Sequence, residues 1–401
     1  MFLKNNFSAL NFDKKIAFLF NFVIVGFYNR SLPHYKRRSS LLQFTNNVCS
    51  YLKNKAAIFS PFTILLLFCL ISFSSCFGDK DKNIPDVSGV KVKVKVNRFD
   101  QDLFKIDTNQ VASGIEKLEE KYPDFTDFYL TRALQIKKPW DTTGAYREYT
   151  KGFLTYPFVR DLHHKVDSVY GDFGSVSKEL EKGLKFYKHY FPEKEIPEFY
   201  TFISEFSYGI AIPPRGNSIA IGLDLFLGEN YKPYAYPPLS LPAYIVRTHD
   251  KAHLPSKVFR GMIEDIVGPI KGNRFIDHII QNGKKLYILD QLMPYETDSI
   301  KLGYTAKQTA WVDAFELDIW AHFLKEELMY SDDLQAYKSL ISTAPKSAGL
   351  TEESPGEVGN WIGWQIVKSY MNRHPETTLP ELVALEDMQE ILSKSRYKPR
   401  R

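Results

Sequence analysis

The chain has 401 residues, of which 44% are hydrophobic, 15% aromatic and 25% charged, enough apolar material for a sizeable core and far from the composition of a disordered chain. Its net charge of +5 resides in the first 75 residues, where nine Lys or Arg stand against Asp13 alone, while the remainder carries 43 basic and 46 acidic residues. A slightly acidic body lacks the basic footprint of a nucleic-acid binder, so no nucleic-acid partner is expected.

Residues 1–52 contain an apolar run at Ile16–Tyr28 and do not fit a signal-peptide n-region, so an upstream-shifted start is expected for them. Residues 53–76, KNKAAIFSPFTILLLFCLISFSSC, have the three parts of a secretory signal: Lys53 and Lys55, an apolar centre, then Ser74 and Ser75 before Cys76. The small-small-Cys ending resembles a bacterial lipobox, with Phe73 where Leu is usual. That resemblance implies cleavage before Cys76 and acylation of its thiol, with residues 76–89 as a lipidated tether. A transmembrane anchor of about 18 residues is the alternative by length. Cys49 and Cys69 precede the cleavage point, so the mature body is expected to have no disulfide.

From Val90 to Val96 the sequence VKVKVKV alternates with period two and predicts a strand with one wet face. Apolar spacing of three and four predicts helices over Asp107–Ala133, Gly152–Tyr170 and Ser177–Phe191. Strands follow in EFYTFISEF, YGIAI and SIAIGLDLFLG, the last two joined through Pro213, Pro214, Gly216 and Asn217 as a hairpin. The Tyr- and Pro-rich stretch Tyr231–Tyr244 reads as an ordered loop packed by its own aromatics. Beyond it, helices are predicted at 274–293, 305–329, 359–373 and 379–394. This order gives an α+β domain over residues 90–401, mainly helical with a small sheet.

Several motifs in one order, NRFDQDLF (Asn97–Phe104), KYPDF (Lys121–Phe125), IAIGLDLFLG (Ile219–Gly228), GKKLYILDQLMP (Gly283–Pro294) and SPGEVGNWIGWQIVKSYM (Ser354–Met371), resemble the GldB-type gliding-motility lipoproteins of the Bacteroidetes. The resemblance spans about residues 76–395. It implies a lipid-anchored protein needed for surface gliding, whose partners are other gliding-motility lipoproteins and the secretion and motor proteins of the envelope. Phe77 after the lipidated Cys76 favours the outer membrane. The family is also distantly similar to predicted zinc peptidases, which implies a degenerate zincin-like (metallopeptidase-like) fold. On that placement Ile263, Glu264 and Val267 of FRGMIEDIVGP stand where His, Glu and His would be, and Asn282 stands for the third ligand. No cofactor is then expected, and the protein is expected to be non-catalytic.

One motif competes with that reading. His249, Asp250, Lys251, Ala252 and His253 read HDKAH, close to the HExxH of zinc peptidases, in which two histidines share a helix face and a carboxylate activates a metal-bound water. An envelope zinc metallopeptidase using His249 and His253 is therefore the alternative. Pro255 disfavours a helix continuing through the pair and predicts a turn or helix end, and a catalytic zinc also needs a third ligand. In RDLHHK, adjacent His163 and His164 point about 100° apart on a helix and read as one inward and one exposed. Trp361 and Trp364 fall at core spacing, and Gly356, Gly359 and Gly363 read as sites of close helix packing.

Overall fold

A computed structural model describes residues 84–137 and 143–400; the signal region 1–75 and Cys76 lie outside the described residues. Among the described residues, no helix is long and apolar enough to cross a membrane. Ile84 and Val87 already pack against the hydrophobic core.

The Val/Lys alternation sets half-buried valines against exposed lysines. The ladder itself is shorter than expected. Strand β1 is Val96–Asn97 only, because its partner β2 (Glu198–Phe202) begins level with it and leaves residues further upstream without a backbone to pair with. The Phe199 amide donates to Lys95 O at 2.9 Å, and Lys95 pairs with Glu198 at 2.6 Å. Strand β3 (Ile210–Ala211) and β4 (Ser218–Gly222) form the expected hairpin across Pro213–Asn217. The sheet order is β1-β2-β4-β3, with β1, β2 and β4 parallel and β3 antiparallel on the edge.

Among the described residues, six α-helices and a π-helical turn (Tyr129–Ala133) lie between β1 and β2: α1 (Phe99–Phe104), α2 (Val111–Lys121), α3 (Pro123–Phe128), α4 (Tyr146–Thr155), α5 (Pro157–Tyr170) and α6 (Gly174–Tyr190). Two expected helices are corrected by proline. The 107–133 run breaks at Tyr122, and the 152–170 run breaks at Tyr156, whose ψ of 123° is the extended conformation that a following proline favours. Phe99 and Tyr129 knit the helices to the sheet, their rings edge-on at 4.9 Å, and the Tyr129 hydroxyl donates to Ile203 O at 2.9 Å. Buried Asp100 is held by Arg98 at 2.8 Å and by the Thr201 hydroxyl at 2.5 Å, which ties α1 to β2.

Just after β4, fully buried Asp224 accepts the amides of Ser204 (3.1 Å) and Phe206 (2.6 Å) and so closes the loop after β2. Burial pushes its carboxyl up to about 7, against the downward pull of those amides. The Tyr231–Tyr244 loop is ordered around buried Tyr234, whose hydroxyl donates to Asp224 O at 2.7 Å and whose ring meets Tyr231 at 5.2 Å. Phe206, outside the loop, supplies a further ring at 5.7 Å.

The rest is helical: α7 (Ala243–Val246), α8 (Leu254–Val267), α9 (Phe275–Leu292), α10 (Asp298–Leu302), α11 (Ala306–Ala314), α12 (Glu316–Lys325), α13 (Leu334–Ile341), α14 (Val358–Arg373), α15 (Leu379–Ala384) and α16 (Met388–Ser395). Thr305 with Gln308 and Thr378 with Glu381 form capping boxes that fix the starts of α11 and α15. The expected 305–329 helix breaks at Phe315, and the expected tail helix divides into α15 and α16. Helices α9 and α14 cross at glycines, as expected of Gly359 and Gly363: a Cβ on Gly363 would lie 1.7 Å from Ile279 O, and one on Gly283 would lie 2.3 Å from Gly363 O. Trp361 and Trp364 are buried beside this crossing.

Candidate functional site

Helix α8 starts at Leu254 with Pro255 in its first turn, where the missing N–H is no loss, and ends at Gly268 with φ 71°. Its inner face buries Val258, Phe259, Met262 and Ile263, leaving Arg260 and Glu264 one turn apart towards α9. From α9 come Asn282, Lys285, Leu286 and Leu289; from the start of α14 come Glu357 and Asn360. With Leu302, Tyr304 and Ile341 they enclose a cavity of about 180 Å³.

The polar groups form a network. Asn282 Nδ2 donates to Asn360 Oδ1 at 2.8 Å, and Asn360 Nδ2 donates to Glu357 Oε2 at 3.1 Å and to Ile341 O at 2.9 Å. Lys285 Nζ donates to Glu264 Oε2 at 2.6 Å. Arg260 Nη2 donates to Lys301 O at 2.5 Å, and the Tyr304 hydroxyl donates to Gly356 O at 2.7 Å. Glu357 is held in the left-handed region at φ 63°, ψ 22°, a conformation that costs a non-glycine residue of order 1 kcal/mol and is kept only where the surroundings fix it. Burial lowers the guanidinium of Arg260 from its ordinary value although Glu357 and Glu264 raise it. Lys257, one turn before Arg260, is pulled down to about 8 by burial and by the neighbouring Arg260 and Arg247, with Glu357 opposing. Burial likewise lowers Arg247, against Tyr304 and Glu357. Glu357 thus opposes the downward shift of all three cations, and Glu264 that of Arg260 as well.

Three of the four positions singled out from the metal-helix resemblance, Ile263, Glu264 and Asn282, line this one cavity, while Val267 is half-buried further along α8 and does not. The HDKAH pair is placed elsewhere. His249 and His253 lie in the turn before α8, so they do not share a helix face. His253 is engaged by Asp250, whose Oδ1 meets its Nδ1 at 2.8 Å and its backbone N at 2.9 Å. His249 packs against Phe226 and Tyr234, its Nδ1 has no hydrogen-bond partner among the described residues, and burial pulls its ring down to about 4. Among the described residues, no group of three His, Cys, Asp or Glu side chains is arranged to hold a metal ion. His163 turns inward, stacked on Phe104 at 4.1 Å, and His164 is exposed.

Sequence reasoning missed Arg260, Lys285, Tyr304, Glu357 and Asn360. A signal was present for Arg260 and Lys257, two cations that share one helix face with Glu264 beside the apolar run Val258, Phe259, Met262 and Ile263. The cavity lining contains no Ser, Thr, Cys or His; it offers donors, acceptors and an apolar wall.

Comparison with curated proteins and with solved structures gives no match. Comparison with protein families gives one over residues 80–399, to the family described as gliding motility protein GldB. That match covers most of the chain and the whole of the cavity, and the protein therefore belongs to the GldB family of gliding motility lipoproteins.

Proposed function

We propose that the protein is a non-catalytic, lipid-anchored component of the gliding motility and associated secretion apparatus, acting through protein partners: other gliding motility lipoproteins and the secretion and motor proteins of the envelope. Its anchor is the acylated Cys76, in the outer membrane, and its body is a degenerate zincin-like domain. The observation that carries this reading is the chemistry at the positions where the resemblance puts metal ligands. Ile263 and Val267 are apolar, Asn282 is bonded to Asn360, and the one general-base candidate, Glu264, is bonded to Lys285 at 2.6 Å. That Ile263, Glu264 and Asn282 come together in one cavity supports their descent from a single former site.

Deletion of the gene is expected to abolish spreading on agar. Complementation with the wild type or with Glu264→Gln restores it, and Cys76→Ala does not. A folded, normally abundant Glu264→Gln protein that fails to restore spreading would overturn the non-catalytic reading.

A further inference from the structure

The α8–α9–α14 cavity retains the means to hold a ligand. Its volume of about 180 Å³ exceeds the roughly 150 Å³ apolar cavity that suffices for benzene, so one amino-acid residue is the right size of guest. One wall is apolar, built from Ile263, Leu286 and Leu289. The rest of the lining is mostly polar and incompletely used. Arg260 donates only from Nη2 to Lys301 O, leaving Nε and Nη1 without an acceptor among the described residues. The Asn282 amide gives its Nδ2 to Asn360 and leaves its oxygen open to a backbone N–H. The Lys257 ammonium, one turn before Arg260, has no hydrogen-bonded or ion-paired partner among the described residues; Glu357 acts as a counter-charge to Arg247, Lys257 and Arg260, and Glu264 as a second one to Arg260. The lining itself carries two cations, Arg260 and Lys285, and two carboxylates, Glu264 and Glu357, of which Glu264 is engaged by Lys285 at 2.6 Å.

We infer that this cavity binds the free C-terminal residue of a peptide, with the carboxylate on Arg260, the last amide N–H on the Asn282 oxygen and an apolar side chain against Ile263, Leu286 and Leu289. A guanidinium is the side chain best shaped for a planar carboxylate, and the Asn282 amide, held by Asn360 through one of its two N–H groups, offers the donor and acceptor pattern of a peptide group. The inference deepens the partner-binding role proposed above by giving it a recognition element: a protein tail that ends in an apolar residue.

The test is calorimetric titration of the full-length lipoprotein in detergent with acetyl-Ala-Ala-Leu as the free acid, the same peptide as its C-terminal amide, and inorganic phosphate. The acid is expected to bind at least ~10-fold more tightly than the amide, the size of effect set by one charge-assisted hydrogen bond. Arg260→Gln removes that preference, and Lys178→Met, exposed on α6 and outside the cavity lining, leaves it unchanged. Equal binding of acid and amide, or no binding of either, overturns the inference. So does phosphate binding with both peptides silent, which makes the cavity a simple anion site. The acid/amide comparison is made on the wild type and does not depend on any variant folding. A silent titration beside a deletion strain that has stopped spreading removes the tail-binding site and keeps the motility role; a deletion strain that still spreads removes the role itself.

Discussion

Replacing Gly363 by Ala tests the packing that assembles the candidate site. The added Cβ would stand 1.7 Å from Ile279 O and 2.5 Å from Ile279 C, both backbone atoms in the middle of α9. A non-bonded carbon and oxygen settle near 3.3–3.6 Å, so the two helices must separate by roughly 1.6 Å, and no side-chain rotation can absorb the clash. Overpacking of this kind costs about 3 kcal/mol or more, while Ala in place of Gly in a helix returns about 1 kcal/mol. The net loss is at least ~2 kcal/mol, a fall in Tm of roughly 3 °C or more for a domain of about 310 residues. Gly152→Ala is the control: it lies in α4 with nothing within 4 Å of the new Cβ, and is expected to raise stability by ~0.5–1 kcal/mol. Both are read by thermal unfolding followed by circular dichroism. A Gly363→Ala protein that melts at or above the wild type, in the same experiment in which Gly152→Ala behaves as stated, refutes the argument that backbone contact at this crossing leaves no room.

Three further outcomes are expected. Lys301, 1% exposed, meets Asp290 at 2.5 Å and Asp298 at 2.9 Å, so Lys301→Met leaves a buried charge without its main partner and lowers stability by about 3–5 kcal/mol in denaturant titration, whereas Lys301→Met with Asp290→Leu recovers most of it. Asp224, pushed up to about 7 by burial from an ordinary value near 4, keeps its proton in the folded state over a window in which the unfolded chain has lost it. Its contribution to stability therefore falls as pH rises from about 4 to 7, by up to ~1.4 kcal/mol per unit, and Asp224→Asn flattens that slope in urea melts recorded at a series of pH values. Zinc measured by mass spectrometry on the purified protein after dialysis without chelator is expected far below one per chain and unchanged by His253→Ala; zinc near one equivalent, lost in that variant, would establish the metallopeptidase alternative.

Much of the architecture was legible because periodicity is a local property. Helix α9 and helix α14 carry continuous core spacing, and the pairing of β3 with β4 is written in Pro213, Pro214, Gly216 and Asn217. The misreadings occurred where the partner or the backbone decides. Val90–Val94 have a strand's alternation but no strand beside them among the described residues, and apolar spacing continues through Pro123 and Pro157 although the helices restart there. The cavity was only half legible. Ile263, Glu264 and Asn282 were found through family resemblance, but Arg260, Lys285, Tyr304, Glu357 and Asn360 meet across several separate elements, and no spacing in the chain encodes that meeting. The left-handed backbone of Glu357, a residue with no intrinsic preference for it, is likewise imposed by its surroundings.

The two-rung ladder of β1 has a mechanical meaning. A pull transmitted along the chain from its N-terminal side must lift half-buried Ile84, Val87, Val92 and Val94 from the core and then break only the two rungs at Val96 and Asn97, supported by the Lys95–Glu198 pair, before it reaches Phe99, which is fully enclosed. Peeling residues 84–97 would pay out about 50 Å of extended chain while the helical core stayed intact. The segment is therefore the part of the fold that a pull from the N-terminal side reaches first, and the core beyond Phe99 the part it reaches last.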